Sequence, residues 1–150
     1  MAKVYIVNLK DNRTNHDKND DTKFNSCMSE GIIAIGWKDA DETNRSFKTA
    51  INNLNRMEKD DLVWTKNPKT KSDFRLVRII DDKVKKETDK ALIDKDICFS
   101  RKVEKIKDFS VGSLPNGLKK NDIVARRTAE RVHRQFLIDA TLECEKNKGE

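Results

Sequence analysis

The sequence predicts a mixed α/β domain built on a strongly bent sheet, a partly open β-barrel of about five strands with flanking helices. Three observations carry this: short apolar runs of strand chemistry recur along the chain, segments of helical spacing interrupt them, and regular βαβ alternation is missing. A chain of 150 residues suits one domain with a single core, here residues 1–150 as one unit. Hydrophobic residues make up 35% of it and charged residues 39%, so the core is small and the surface heavily solvated.

The first element is "KVYIVNL" (Lys3 to Leu9), a nearly continuous apolar run rich in β-branched and aromatic residues, as expected of a strand buried on both faces. The polar stretch near residues 10–21 holds no hydrophobic residue and reads as a loop. "TKFNSCMSEG" then places Phe24, Cys27 and Met28 at helical spacing, with Thr22 as cap and Gly31 as stop. It feeds the strand "IIAIGW", which ends on Trp37. "SFKTAINNLNRM" repeats Phe47, Ala50, Ile51, Leu54 and Met57 at intervals of three and four, a second helix with Ser46 as its cap.

Two strand-like runs follow, "DLVWTKN" and "DFRLVRIID", joined by "PKTKS" as a hairpin turn. Arg78 breaks the alternation of the second, which a curved sheet tolerates. The segment from Asp82 to Asp96 is too charged to assign, and "DICFSRKVEKI" returns to strand chemistry. After the loop "GSLPNGLKKND", "IVARRTAERVHRQFLIDATLECEK" reads as a strand or helix start followed by a long amphipathic helix near residues 128–146, with Val132, Phe136, Ile138, Ala140 and Leu142 in its stripe.

Net charge is +6, from 32 basic and 26 acidic residues, which favours an anionic partner. The clearest local excess is "ARRTAERVHRQ", where Arg126, Arg127, Arg131 and Arg134 face only Glu130. No apolar stretch is long enough to span a bilayer and the N-terminus is too quickly polar for a signal peptide, so a cytoplasmic protein without membrane contact is expected. Cys27, Cys98 and Cys144 are widely spaced and lack CxxC pairing, which reads as three buried thiols.

Several chemistries are excluded by missing motifs. There is no P-loop, no GxGxxG, no HExxH and no HxE…CxxC. His16 lies in the polar loop and His133 in a basic helix, so neither is placed for base catalysis beside a cysteine. The acid pairs Asp60/Asp61, Asp81/Asp82 and Asp94/Asp96 leave a magnesium-dependent nuclease as an alternative, but their spacing is loose. The expectation is a protein without catalysis, cofactor or metal. Trp37 and Trp64, each at the end of an apolar run, are either core-edge residues or the walls of a pocket in which a base stacks.

The order of segments decides between these readings. An opening apolar strand, then "F..CMSEGIIAIGW", "DDLVWTKNP…FRLVRI", "DICFSRKVEKI" and "ARRTAERV" before a helix resembles the PUA-like superfamily. Within it the likeness is to the EVE-like and YTH-like domains of modification-dependent restriction systems, from about Lys3 to Phe136. The resemblance implies a domain that reads a flipped, often modified, base in an aromatic pocket. Trp37 stands at the family's Trp after the Ile-Gly step, Trp64 just after the Leu-Val turn, Arg101 at the Arg of an Arg-x-Val strand, and Arg127 and Thr128 at the closing Arg-Thr pair. Phe24 occupies an aromatic position ahead of the strand, although its helical spacing assigns it to the core. The chain departs from the pattern in "DKVKKETDKALIDKD", devoid of aromatics, and in "RKVEKI", which lacks the family's Trp.

The expected base-binding set is therefore Trp37 and Trp64 flanking the base, with Arg75, Arg78 and Arg101 at the rim. The expected phosphate-binding set is Arg126, Arg127, Thr128 and Arg131. The partner is nucleic acid, DNA ahead of RNA, in a restriction, defence or mobile-element setting. The alternative from another class is a protein-interaction module that blocks a host enzyme, with the C-terminal helix in its interface.

Overall fold

The computed structural model describes residues 2–11, 17, 19–37, 44–124 and 127–146. Within them the chain forms β1 (Val4–Val7), α1 (Thr22–Glu30), β2 (Ile32–Ile35), α2 (Arg45–Arg56), β3 (Leu62–Lys66), β4 (Asp73–Ile79), β5 (Lys85–Lys86), α3 (Lys90–Ile93), β6 (Phe99–Ser110), β7 (Ala129–Arg131) and α4 (Gln135–Lys146). Half of the polar stretch near 10–21, His16 included, lies outside the described residues, as does Arg126.

All seven strands belong to one sheet of order β2-β6-β4-β3-β1-β7, with β5 also paired to β6. The fold is mixed α/β on a strongly bent sheet, as expected. The two strands that sequence reading did not separate, β5 and β7, are two and three residues long, too short to display a period. Pairing is antiparallel except between β1 and β3, where Val4, Tyr5 and Ile6 lie beside Leu62, Val63 and Trp64. The curvature has a local source. Between Leu76 and Val77 the partner on β6 jumps from Lys107 to Lys105, so one extra residue of β6 is left opposite β4, and such a bulge bends and twists a sheet.

Alternation along the strands divides the interior in two. Tyr5, Val7, Val63, Val77 and Ile79 pack with Phe24 and Cys27 of α1 and with Phe47, Ala50 and Leu54 of α2. Val4, Ile6, Leu62, Trp64, Phe74 and Leu76 face the other way, against Leu137, Ala140 and Cys144 of α4. The broken alternation of β4 follows from this: Phe74 and Leu76 serve the second core, Val77 and Ile79 the first.

The helices form largely as the spacing predicts, with corrections at their ends. Thr22 is the first helical residue of α1 and Asp21 its cap position, while Gly31 closes the helix at φ 67° with its N–H donating to Cys27 O. The cap of α2 is Asn44, not Ser46: its side chain accepts from Phe47 N at 3.0 Å. The last helix starts at Gln135, because Ala129–Arg131 pair with Tyr5–Val7 as a strand before it. Its buried face is Leu137, Ala140, Thr141 and Cys144, and Phe136 points out at 52% exposure. All three cysteines are buried.

Candidate nucleic-acid interface

Strands β2 and β7 stand at opposite ends of the sheet order, yet the residue following β2 and the residues preceding β7 line the same cleft. The sheet therefore curls until its two edges approach each other, and α2 lies across the gap. Asn53 Nδ2 of α2 donates to Ala129 O of β7 at 2.8 Å, and Asn8 N of the β1 exit donates to Thr128 O at 2.7 Å.

Trp37 forms one side of this cleft. The preceding Gly36 is required by close approach: a Cβ there would sit 2.0 Å from Asp96 Oδ1. Asp96 cannot yield easily, because it pairs with the buried ammonium of Lys23 at 3.2 Å, and Lys23 Nζ also donates to Lys10 O at 3.3 Å. Beyond Gly36, Trp37 takes φ 65°, a left-handed conformation unfavourable to a bulky side chain. Its ring is held edge-on by Phe47, centroids 5.9 Å apart at 62°, and Phe47 rests in turn on Phe99 at 5.3 Å. One part of the ring is packed and the rest faces the cleft.

The cleft holds about 590 Å³. Asn8, Arg127 and Thr128 line it together with Trp37, and α2 contributes Arg45, Ser46 and Thr49. A second cleft of about 620 Å³ shares Arg127 and continues past Arg56 and Asn53 of α2 to Arg131 and His133. Lys3, Glu58 and Glu130 complete its rim, and Lys3 donates to Glu58, a bond that raises the Lys3 pKa above its ordinary value. The two clefts meet at Arg127, and Arg45, Arg56, Arg127 and Arg131 outnumber the carboxylates Glu58 and Glu130 along them, a surface suited to an anionic chain with an aromatic ring at one end.

In overall chain course the molecule is similar to two solved structures. One is protein Atu2648 from Agrobacterium tumefaciens, 12% identical, with 95% of this chain and 93% of that chain covered and a TM-score of 0.46. The other is the YTH domain of Zygosaccharomyces rouxii MRB1 in complex with N6-methyladenosine RNA, 12% identical, covering 96% and 87%, with a TM-score of 0.47. No family model and no curated relative matches the sequence.

Of the expected base-binding set, only Trp37 is in the cleft. Trp64 is 0% exposed. Its Nε1 donates to Thr141 Oγ1 of α4 at 2.8 Å and its ring lies 5.5 Å from Phe109. Burying an indole removes roughly 150–250 Å² from water, worth about 4–6 kcal/mol, so this residue is core and no pocket wall. Arg101 is also 0% exposed and is a structural cation. Its Nε donates to Asp81 Oδ1 at 2.7 Å, Nη2 to Asp81 O at 3.0 Å, and Nη1 to Leu54 O and Met57 O at 2.7 and 2.6 Å. Arg75 is paired with Asp108, and Arg78 with Glu104 and with Glu145 of α4. None of these three arginines reaches the Trp37 cleft.

The phosphate set fares differently: Arg127 and Thr128 line the first cleft, Arg127 and Arg131 the second. The residues that sequence reading missed are Asn8, Arg45, Thr49, Asn53 and Arg56. Those on α2 had a legible signal, since 45, 49, 53 and 56 are spaced four, four and three and so share a polar helix face beside the buried one. Among the described residues no group of three or more His, Cys, Asp or Glu is arranged to hold a metal ion. Among the carboxylates of the three acid pairs considered for magnesium, Asp81 has both oxygens engaged, Oδ1 by Arg101 and Oδ2 by Lys102 N at 2.8 Å.

Proposed function

We propose that the chain is a single, non-catalytic nucleic-acid-binding domain of PUA-like type that takes one base against Trp37 and holds the strand through Arg127, Thr128 and Arg131. The observation that carries the reading is the Trp37 ring, held by Phe47 at a left-handed backbone position and lining an open cleft together with Arg45 and Arg127. An aromatic face offers stacking to any base, and its fixed position means little order is lost on binding. Arginine guanidinium groups supply the sequence-independent part of the affinity, while the polar groups beside Trp37, among them Asn8, Ser46 and Thr49, would read the base edge. Reading of a modified base, DNA ahead of RNA, and a restriction or mobile-element setting belong to the same proposal and rest on the order of segments in the sequence.

The test is fluorescence-anisotropy titration with short duplex and single-stranded DNA and RNA, each with unmodified and modified adenine or cytosine. Trp37→Ala is expected to weaken binding by about 5- to 140-fold, the equivalent of roughly 1–3 kcal/mol of base stacking, and to abolish discrimination between bases. Arg127→Met should lower affinity for all sequences alike and flatten the slope of log K against log salt by about 0.9 on duplex or about 0.7 on single strands. Salt-independent binding, or equal affinity of wild type and Trp37→Ala, overturns the proposal. If no oligonucleotide binds and a stoichiometric protein partner is recovered after nuclease treatment, the chain is a protein-interaction module instead.

A further inference from the structure

We propose that the second cleft holds a phosphate subsite in which the Tyr5 hydroxyl donates to a phosphate oxygen while Arg56 and Arg131 pair with the anion. Strand pairing sets the geometry. Tyr5 of β1 lies opposite Arg131 of β7, and Glu130 lies opposite Ile6. Successive side chains on a strand alternate in direction, so Arg131 shares the face of Tyr5 and the Glu130 carboxylate leaves on the other. The ladder bonds from Val132 N to Val4 O and from Asn8 N to Thr128 O leave Tyr5 and Arg131 as a non-hydrogen-bonded pair, the class in which facing side chains stand closest. Helix α2 supplies the remaining wall. Asn53 Nδ2 donates to Ala129 O of β7 at 2.8 Å, which docks the helix on this face and sets Arg56, three residues on, in the lining with Arg131.

Two observations point to a ligand. Tyr5 is 1% exposed, yet its hydroxyl has no hydrogen-bond partner among the described residues, although buried polar groups almost always find one. It is not sealed off as the Thr65 hydroxyl is: Tyr5 lines the cleft, and so do Lys3, Arg131 and Glu58, whose charges act on the phenol. The second observation is unmatched positive charge. Lys3 pairs with both Glu58 and Asp61, whereas Arg56, Arg127 and Arg131 have no ion-pair partner among the described residues. A phosphate answers both, because its oxygens accept from the phenol and from guanidinium groups at once, and the neutral hydroxyl adds a direction that charge alone lacks. The cleft meets the Trp37 cleft at Arg127, so a strand with its base on Trp37 brings a neighbouring phosphodiester here. That source rests on the base-reading proposal; the anion site itself does not.

Tyr5 is the sole tyrosine of the chain, so isotope labelling at the tyrosine Cζ gives one NMR signal that reports on this hydroxyl. Titrating the full chain with inorganic phosphate at constant ionic strength, with chloride as control, should move that signal saturably. Arg56→Met and Arg131→Met should each weaken phosphate by at least about tenfold, and exposed Lys48→Met should not. Tyr5→Phe removes one oxygen and nothing else. It should leave the urea midpoint of the free protein unchanged or higher, because the hydroxyl has no partner to lose, yet weaken short single-stranded DNA or RNA by at least about tenfold. Salt dependence separates the roles. Arg131→Met should flatten the slope of log K against log salt by about 0.7, whereas Tyr5→Phe, which takes away no charge, should lower affinity at every salt concentration with the slope intact. Trp37→Ala should abolish base discrimination and keep the phosphate response of the tyrosine signal. Saturation by phosphate with no oligonucleotide bound would uphold the site, assign it to free phosphate and remove the base-reading proposal. Oligonucleotide binding that needs Trp37 but is equal in wild type and Tyr5→Phe, or a tyrosine signal that drifts with phosphate without saturating, overturns the present proposal.

Discussion

Replacing Arg101 by methionine separates a structural arginine from a ligand-binding one. Methionine keeps much of the buried volume and removes the cation together with its donors to Asp81, Leu54 O and Met57 O. Leu54 lies in the last turn of α2 and Met57 caps it, so the guanidinium satisfies carbonyls that a helix C-terminus leaves open and opposes the negative end of its dipole. Removing one partner of a buried ion pair costs about 3–5 kcal/mol. The Asp81 side chain is 20% exposed and can regain some hydration, which places the expected loss at about 3 kcal/mol. Against a total of roughly 5–15 kcal/mol for a domain, this is a large fraction. With a urea slope of about 1–3 kcal/mol per molar, the unfolding midpoint should fall by at least about 1 M. Buried Trp64 provides the fluorescence signal. Arg101→Lys, which keeps the charge but loses the planar fork, should fall between. A loss under about 1 kcal/mol in Arg101→Met, with oligonucleotide affinity reduced instead, would refute the structural assignment and return Arg101 to the pocket rim.

Two further outcomes are expected. Gly36→Ala drives a methyl group into Asp96 and must break or displace its pair with Lys23, so thermal unfolding should show a loss of about 3 kcal/mol and base binding should weaken with it; an unchanged Tm would show that Asp96 yields freely. Burial pushes the Cys27 thiol up to about 12 from an ordinary 9.0, so between those pH values the folded state keeps a proton that the unfolded state has released. Its contribution is complete below about pH 9 and falls by about 1.4 kcal/mol per pH unit above it. The wild type should therefore lose urea resistance faster than Cys27→Ala between pH 9 and 11, and parallel curves would contradict the burial argument.

Much of the fold was legible because it is local. Helical spacing located the apolar faces of α1 and α2, and Gly31 marked a stop that its positive φ bears out. The helical stripe drawn at the C-terminus failed because residues 129–131 pair with β1, a partner more than a hundred positions away. Lys23 shows the same limit. In "TKFNSC" it reads as a surface residue, yet it is fully buried, since its partner Asp96 lies far along the chain.

Sequence alone determined that two tryptophans end apolar runs, that arginine gathers near residues 126–134, and that the sheet must bend. Which tryptophan meets a ligand was decided only by the tertiary structure. Trp64 sits on β3, inside the sheet and beneath α4, where Thr141 takes its indole N–H; Trp37 follows β2, at the end of the sheet order, and turns out beyond Gly36. The arginines divide for the same reason: Arg101 meets carbonyls at the end of α2, whereas Arg127 meets the cleft. A side chain's type and its neighbours in sequence set what it is able to do. Whether it does so depends on what the folded chain places against it, and here the curling of one sheet, which brings its opposite edges together around α2, makes that choice.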